Sequence, residues 1–312
     1  MKPTQIAAAL AAGFILVTGL AHAGSGAEGA AAEARAQASH YKITRVTPGY
    51  WRVSIHNPPF NIFGPESIPM LNEVVTAIEK DPQLRVVVFE SQVPGFFHTH
   101  YDFIQPLERT TSMPPAASGL QQFPDMLVRL TKTGVVSIAS IRGRATGVGS
   151  ELALACDMRF ASREKAVLSQ FEIGAGFVPG GGPMARLPRL IGRGRALEVL
   201  LSGNDIPAEL AERYGYVNRA LPDAELDKFV DTLARRISTF DKQSLNEIKQ
   251  LVNVASLPPD QEVGEEWGAF LKSVQRPAAQ HNIKKLLEWG LQKKPEIEVH
   301  LDQYTGKANL PD

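Results

Sequence analysis

Residues 141–183 read IRGRATGVGSELALACDMRFASREKAVLSQFEIGAGFVPGGGP, and their pattern decides the fold class. Immediately upstream, residues 135–141 (VVSIASI) form an apolar, β-branched run of strand length. Gly147-Val148-Gly149 then makes a turn, and residues 150–157 follow with helix-forming side chains. A strand, a loop and a second glycine turn at 180–182 complete the segment. A helix opening after the first turn aims free backbone N–H groups, and the positive end of its dipole, at whatever lies above it. Glu151 stands three residues after Val148, and Glu172 precedes the second glycine run. Carboxylates beside donor-rich backbone suit a site that holds a developing oxyanion while protons move.

Upstream, residues 50–56 (YWRVSIH) alternate as a strand that Asn57-Pro58-Pro59 breaks. Leu71, Val74, Val75 and Ile78 give residues 68–80 the period of an amphipathic helix, and 86–89 (VVVF) reads as a buried strand. Residues 92–102 are expected as a loop, 110–118 as a mobile loop rich in Ser, Thr, Pro and Ala, and 121–130 as a helix. Downstream, 184–201 reads as one helix, 207–214 as a short helix and 216–221 as a last strand. Strands alternating with helices imply right-handed crossovers and mainly parallel pairing, an α/β fold. Beyond residue 223 only helices are expected, at 224–238, 244–252, 260–274 and 278–293, with apolar stripes that need a partner surface. The final stretch, 295–312, reads as a loose polar tail.

Composition narrows the function classes. The 312 residues are 44% hydrophobic and 21% charged, and 33 basic residues balance 33 acidic ones. Near-zero net charge argues against nucleic acid or an anionic membrane as the main partner. The single cysteine, Cys156, cannot form an intrachain disulfide and reads as a packing thiol. Lys2, the apolar run 6–20 and Ala21-His22-Ala23 have the pattern of a signal peptide over residues 1–23. The mature chain is then expected to start near Gly24, periplasmic or secreted, without a membrane span. Residues 24–40 form an Ala/Gly-rich tether, 41–222 the catalytic core and 223–312 a helical C-terminal region.

Several of these pieces, in this order, resemble the crotonase (enoyl-CoA hydratase/isomerase) superfamily. They are Asn57-Pro58-Pro59, the loop Phe97-His98-Thr99-His100-Tyr101-Asp102 against a family pattern F-x-A-G-x-D, and the run GSELALACD at 149–157. Glu172-Ile173-Gly174, Pro179-Gly180-Gly181-Gly182 and RLPRLIG at 186–192 continue the match. The resemblance implies a spiral of parallel strands and helices with an oligomerising helical end, a homotrimer or a hexamer built as a dimer of trimers. It implies an oxyanion hole made by the backbone N–H groups of Tyr101 and Val148, which bind the thioester oxygen of an acyl-CoA. It further implies Glu151 and Glu172 as the catalytic acid and base around one water. Close carboxylates push their pKa values apart, which supplies one acid and one base near neutrality. No tightly bound cofactor is implied; CoA enters as part of the substrate. The glycine run 180–182 is expected beneath the second glutamate.

The departures from the family pattern are Val148, where Gly is common, and His100, also at a common Gly. His100 is expected in a turn of positive φ, and Tyr101 adds a phenol near the site. His98 or His100 is a candidate auxiliary acid/base. His98-x-His100-x-Asp102 lacks the further ligands of a metal site, so no metal is expected, and Asp102 reads as a turn cap. Arg186, Arg189, Arg193 and Arg195 read mostly as a solvated helix face within reach of CoA phosphates. Three readings emerge: hydratase/isomerase chemistry on an enoyl thioester; a CoA-independent exported relative acting on a β-dicarbonyl compound with a histidine assisting; or a non-catalytic binding protein on the same fold. An export leader sits awkwardly with a CoA substrate, which is why the second reading stands beside the first.

Overall fold

The computed structural model describes residues 39–311; the expected leader and all of the tether before Ser39 lie outside the described residues. Strand β1 (Tyr41–Thr47) pairs antiparallel with β2 (Tyr50–Ile55). Helix α1 (Ser67–Lys80) then returns the chain to β3 (Val86–Ser91), parallel to β2. Ile68, Leu71, Val74, Val75 and Ile78 of α1 are all buried, as their spacing requires. After β3 the chain turns a corner into β4 (Gly95–His98), which belongs to a second sheet.

The same alternation repeats. Helices α2 (Glu108–Thr111) and α3 (Gln122–Lys132) lead to β5 (Val136–Ile141) in the first sheet and β6 (Gly143–Thr146) in the second. Helix α4 (Val148–Ala155) leads to β7 (Met158–Ser162) in the first and β8 (Val167–Ser169) in the second. Arg142 alone separates β5 from β6, far too short a link for a parallel crossover, so the strand must change sheets. The corner is tight: a Cβ on Gly143 would lie 2.3 Å from the Gly95 carbonyl carbon. Helices α5 (Pro183–Ile191), α6 (Arg193–Ser202) and α7 (Ala208–Tyr214), with strands β9 (Ile206–Pro207) and β10 (Arg219–Leu221), finish both sheets. Among the described residues the orders are β1-β2-β3-β5-β7-β10 and β4-β6-β8-β9. This is the expected α/β spiral.

Both faces of the first sheet are covered, which is why β3 is a continuous apolar run. Val87 and Phe89 enter the main core, while Val86 and Val88 meet Leu226, Val230 and Ala234 of α8 (Asp223–Ser238) on the other face. Helices α9 (Lys242–Ser256), α10 (Asp260–Val274), α11 (Pro277–Trp289), α12 (Pro295–Val299) and α13 (Leu301–Ala308) follow.

Several expectations are corrected. The loop 92–102 contains β4, and the segment expected to be mobile begins with the last residues of α2. The helix over 184–201 is two helices, because Gly192 at φ +79° ends one and starts the other. The tail after 295 is helical, and Ile297, Leu301 and Ala308 are buried. Ile237, Phe270, Val274, Leu286 and Leu291, read as stripes awaiting a partner, bury within their own chain. Among the exposed apolar side chains, a cluster of four sits on α9, at Ile248, Leu251, Val252 and Val254. Cys156 is free and buried, as a packing thiol should be.

Helix α4 opens against β4 with no room between. A Cβ on Gly149 would sit 1.8 Å from the His98 carbonyl oxygen, whereas one on Gly268 of α10 would meet nothing within 4 Å. Gly149→Ala should therefore cost about 3 kcal/mol or more. Gly268→Ala should be neutral or stabilising by up to about 1 kcal/mol. Urea unfolding of the two variants beside the wild type checks both.

Candidate active site

Two residues whose backbone N–H groups find no acceptor among the described residues line one cavity, and separate constraints hold them. Gly147, at φ +55°, turns β6 into α4, and its N–H donates to Ser169 O at 2.9 Å. Val148 is the first residue of α4, so its N–H has no partner within the helix, and it finds no acceptor among the described residues. On the other side, Phe63 N–H donates to His100 O at 3.0 Å and Asp102 N–H donates to Phe63 O at 2.9 Å. In a trans peptide the C=O and N–H point opposite ways. The Tyr101 N–H therefore points away from Phe63, and it too has no acceptor among the described residues. Gly149 N–H donates to Thr99 O at 3.2 Å, which ties the two donors into one frame. Tyr101 and Val148 both line a cavity of about 500 Å³ of non-atom space, part of it open to solvent.

Glu151 and Glu172 line the same cavity and are 4% and 5% exposed. Glu151 lies one turn into α4, and its Oε1 accepts from Gly180 N–H at 3.2 Å and Gly181 N–H at 2.7 Å. A Cβ on Gly181 would stand 2.4 Å from Glu151 Oε2, so the glycine run is a cradle for the first glutamate and not, as expected, for the second. Burial raises Glu151 to about 7, against the pull of the two N–H donors. Glu172 is raised well above its ordinary value, first by burial and then by the negative charge of Glu151. With its amide oriented to satisfy its neighbours, Gln170 donates to Glu172 at 3.1 Å and 3.3 Å and accepts from Ser150 Oγ at 3.1 Å. Ser150 in turn shares a hydrogen bond with Tyr216 OH. Much of the remaining wall is aromatic, with Phe103, Phe123, Phe177 and Trp267 among its residues.

The two histidines part company. His98 is buried outside the cavity lining, with Nδ1 on Asn61 O at 2.5 Å and Nε2 on Tyr41 OH at 2.9 Å. Burial pushes it down to about 3, so it is neutral. His100 does line the cavity, but both ring nitrogens are engaged, on Tyr101 O and on Glu298. Its φ is not positive; in the described residues only Asn61 and Gln292, among non-glycine residues, have that conformation. Tyr101 OH hydrogen-bonds Thr110, and Asp102 Oδ1 accepts from Ile104 N–H at 2.9 Å as a turn cap does. Arg186 is buried rather than solvated, Arg189 pairs with Glu262 at 2.8 Å, and Arg195 lies over the Tyr214 ring.

Gln170, Gln292 and Glu298 were not visible as site residues in the sequence. The spacing of Ile297, Leu301, Tyr304 and Ala308 is helical and was the available signal that the tail packs. Nothing local singles out Glu298, whose partner His100 is 198 residues away.

A two-sheet α/β spiral with paired donors and paired carboxylates on one cavity defines the crotonase class. A family model described as enoyl-CoA hydratase/isomerase matches residues 48–288, and the chain belongs to that family, whose members are lyases or isomerases. It is 32% identical over 206 residues to a probable mitochondrial enoyl-CoA hydratase of Dictyostelium discoideum, covering 65% of this chain and 72% of that one. It is 29% identical over 215 residues to the 1,2-epoxyphenylacetyl-CoA isomerase of Escherichia coli (strain K12), covering 68% and 82%. A crystal structure from Streptomyces avermitilis, provisionally named an enoyl-CoA hydratase, superposes with a TM-score of 0.81 at 39% identity, covering 88% of this chain and 98% of that one. No helix among the described residues is long and apolar enough to cross a membrane.

The carboxyl pair sets a pH dependence of stability. A carboxyl raised by folding holds its proton more tightly folded than unfolded, so stability is fullest below the unfolded pKa and declines as pH rises through the folded one. For Glu151 that window runs from 4.5 to about 7. The unfolding free energy should fall across it. Glu151→Gln should flatten the decline, leaving the shares of Glu172 and of Glu266, which burial raises to about 8. Urea unfolding of the wild type and the variant over that pH range measures both slopes.

Proposed function

We propose that the protein hydrates the α,β double bond of an enoyl-CoA thioester through an enolate. The observation that carries this reading is the convergence of two acceptor-free N–H groups and two buried carboxylates on one cavity. The thioester oxygen sits between the Tyr101 and Val148 N–H groups, which are in place before charge develops. Glu151, held by two backbone donors that favour its charged form, is the ionised partner and takes a proton from water. The water oxygen bonds to the β-carbon as the π electrons move toward the thioester oxygen. Glu172, kept protonated by burial and by the charge of Glu151, gives its proton to the α-carbon. One water is added in all, and return of a proton from Glu151 to Glu172 through solvent resets the pair.

The β-dicarbonyl reading has His98 or His100 assisting as an acid or base. Both rings spend their nitrogens on protein partners, which favours the thioester reading. Turnover of a diketone without CoA would restore the second reading. Saturable binding without turnover, indifferent to both glutamates, would point to a binding protein. The reading of residues 1–23 as an export leader is separate, and N-terminal sequencing of fractionated protein should find Gly24 first.

Crotonyl-CoA hydration, followed by loss of the conjugated thioester absorbance, is the direct test. Glu151→Gln and Glu172→Gln should each lower kcat by about 10²–10⁴ while the protein stays folded. In deuterated water the product should carry deuterium at the α-carbon. Losses below about tenfold in both variants would sink the two-carboxylate mechanism.

A further inference from the structure

The buried pair His100–Glu298 takes no part in the proton transfers of hydration, and the role inferred for it rests on the reading of Tyr101 as an oxyanion donor. His100 Nδ1 lies 2.7 Å from the Tyr101 carbonyl oxygen, and Nε2 lies 3.0 Å from Glu298 Oε2. A carbonyl oxygen only accepts, so Nδ1 carries a hydrogen; an ionised carboxylate only accepts, so Nε2 carries one as well. The ring that satisfies both is an imidazolium. The other Glu298 oxygen accepts from Gln292 N–H at 2.7 Å. The Gln292 side chain reaches back to the same loop, accepting from Phe103 N–H at 2.8 Å and donating to Asp102 Oδ1 at 2.6 Å. The loop that presents the Tyr101 N–H is thus held by Phe63 on one side and by the C-terminal segment on the other.

We propose that Glu298 is a positioning residue for the oxyanion site: it holds His100 as an imidazolium, which grips the Tyr101 carbonyl and places positive charge on the cavity wall where negative charge develops. A carboxylate answering a cation in the dry interior is fully effective only with both partners ionised. Burial alone lowers His100, and the charge and hydrogen bond of Glu298 reverse this and leave it raised. Burial alone raises Glu298, and His100 reverses that and leaves it lowered. The other groups acting on the pair are Asp102 and neutral His98 on the ring and Arg144, which pairs with Asp205, on Glu298; Glu172 and the His100 backbone both approach Gly147. The arrangement is intact between the lowered Glu298 pKa and the raised His100 pKa; it is lost below the first as the carboxylate takes a proton and above the second as the ring gives one up, so the oxyanion site loosens on the alkaline side.

The test compares the full-length wild type with Glu298→Gln and Glu298→Asp. NMR follows the His100 ring nitrogens and the Tyr101 amide over pH, and crotonyl-CoA kinetics run in parallel. In the wild type both ring nitrogens should carry hydrogen near neutral pH, and the Tyr101 amide should titrate with the ring. In Glu298→Gln the His100 titration should move down by about one unit or more, with the Tyr101 amide following it. There kcat should fall about tenfold with KM changed less than about threefold, and the alkaline limb of kcat should move with the ring. Glu298→Asp should recover most of kcat. A neutral His100 in the wild type, or a Tyr101 amide that ignores the ring, overturns the proposal. So does a folded Glu298→Gln whose pH profile is unmoved. Should Glu298→Gln not fold, the wild-type titration and Glu298→Asp decide. If the wild type hydrates no thioester, the functional reading fails by itself, and the NMR arms still judge the positioning role.

Discussion

The contact between Gly149 and the backbone of His98 is the constraint on which the site depends. Helix α4 begins against strand β4 so closely that no side chain fits between them, and the Gly149 N–H is spent on Thr99 O. Two segments about fifty residues apart in sequence are thereby locked at backbone contact. Each carries one N–H with no acceptor among the described residues, on Val148 and on Tyr101, and the lock makes their separation a property of the fold rather than of side-chain rotamers. A donor pair of this kind reorganises little as charge appears, which is where preorganised electrostatics gains most. The spiral serves the same end: strands that switch sheets at corners of one to four residues bring β4, β6 and β8 side by side, and the site sits at their ends.

Around that frame the carboxylates are made unequal by different neighbours. Glu151 rests on two glycine N–H groups that stabilise its charge; a Cβ on Gly181 would strike its carboxylate, and one on Gly180 would press on Phe270. Glu172 has the Gln170 amide, itself held by Ser150 and Tyr216, and its own backbone N–H, and it feels the charge of Glu151. Burial raises both, and the hydrogen-bonding asymmetry decides which gives up its proton first. Aromatic walls supply the low polarity that makes these differences large.

The C-terminal helices complete the site rather than merely decorating the fold. Trp267 of α10 lines the cavity, and Glu298 of α12 and the Gln292 just before it reach the Phe97–Asp102 loop. His100 is the hinge of this arrangement. At a position where the family commonly has glycine, this chain carries a side chain that ties the Phe97–Asp102 loop to its own C-terminal segment.

The amino-acid sequence by itself determined the alternation of strands and helices, because burial of one or both faces writes its period into local spacing. Through its resemblance to the family's motifs it also marked Glu151, Glu172, Val148 and Tyr101 as candidates. What only the tertiary structure decided has no local period. The division of strands between two sheets depends on corners such as Arg142, which no local pattern marks as a change of sheet. Which glutamate receives the glycine cradle depends on how a loop thirty residues downstream folds back. His98 and His100 are near neighbours of one type, yet one is buried neutral and the other paired with a carboxylate, because adjacent strand and loop positions face different surroundings. The burial of Arg186 and the reach of Glu298 are of the same kind. Interactions between residues far apart in the chain are set by packing, and packing leaves its trace in three dimensions rather than in neighbouring letters.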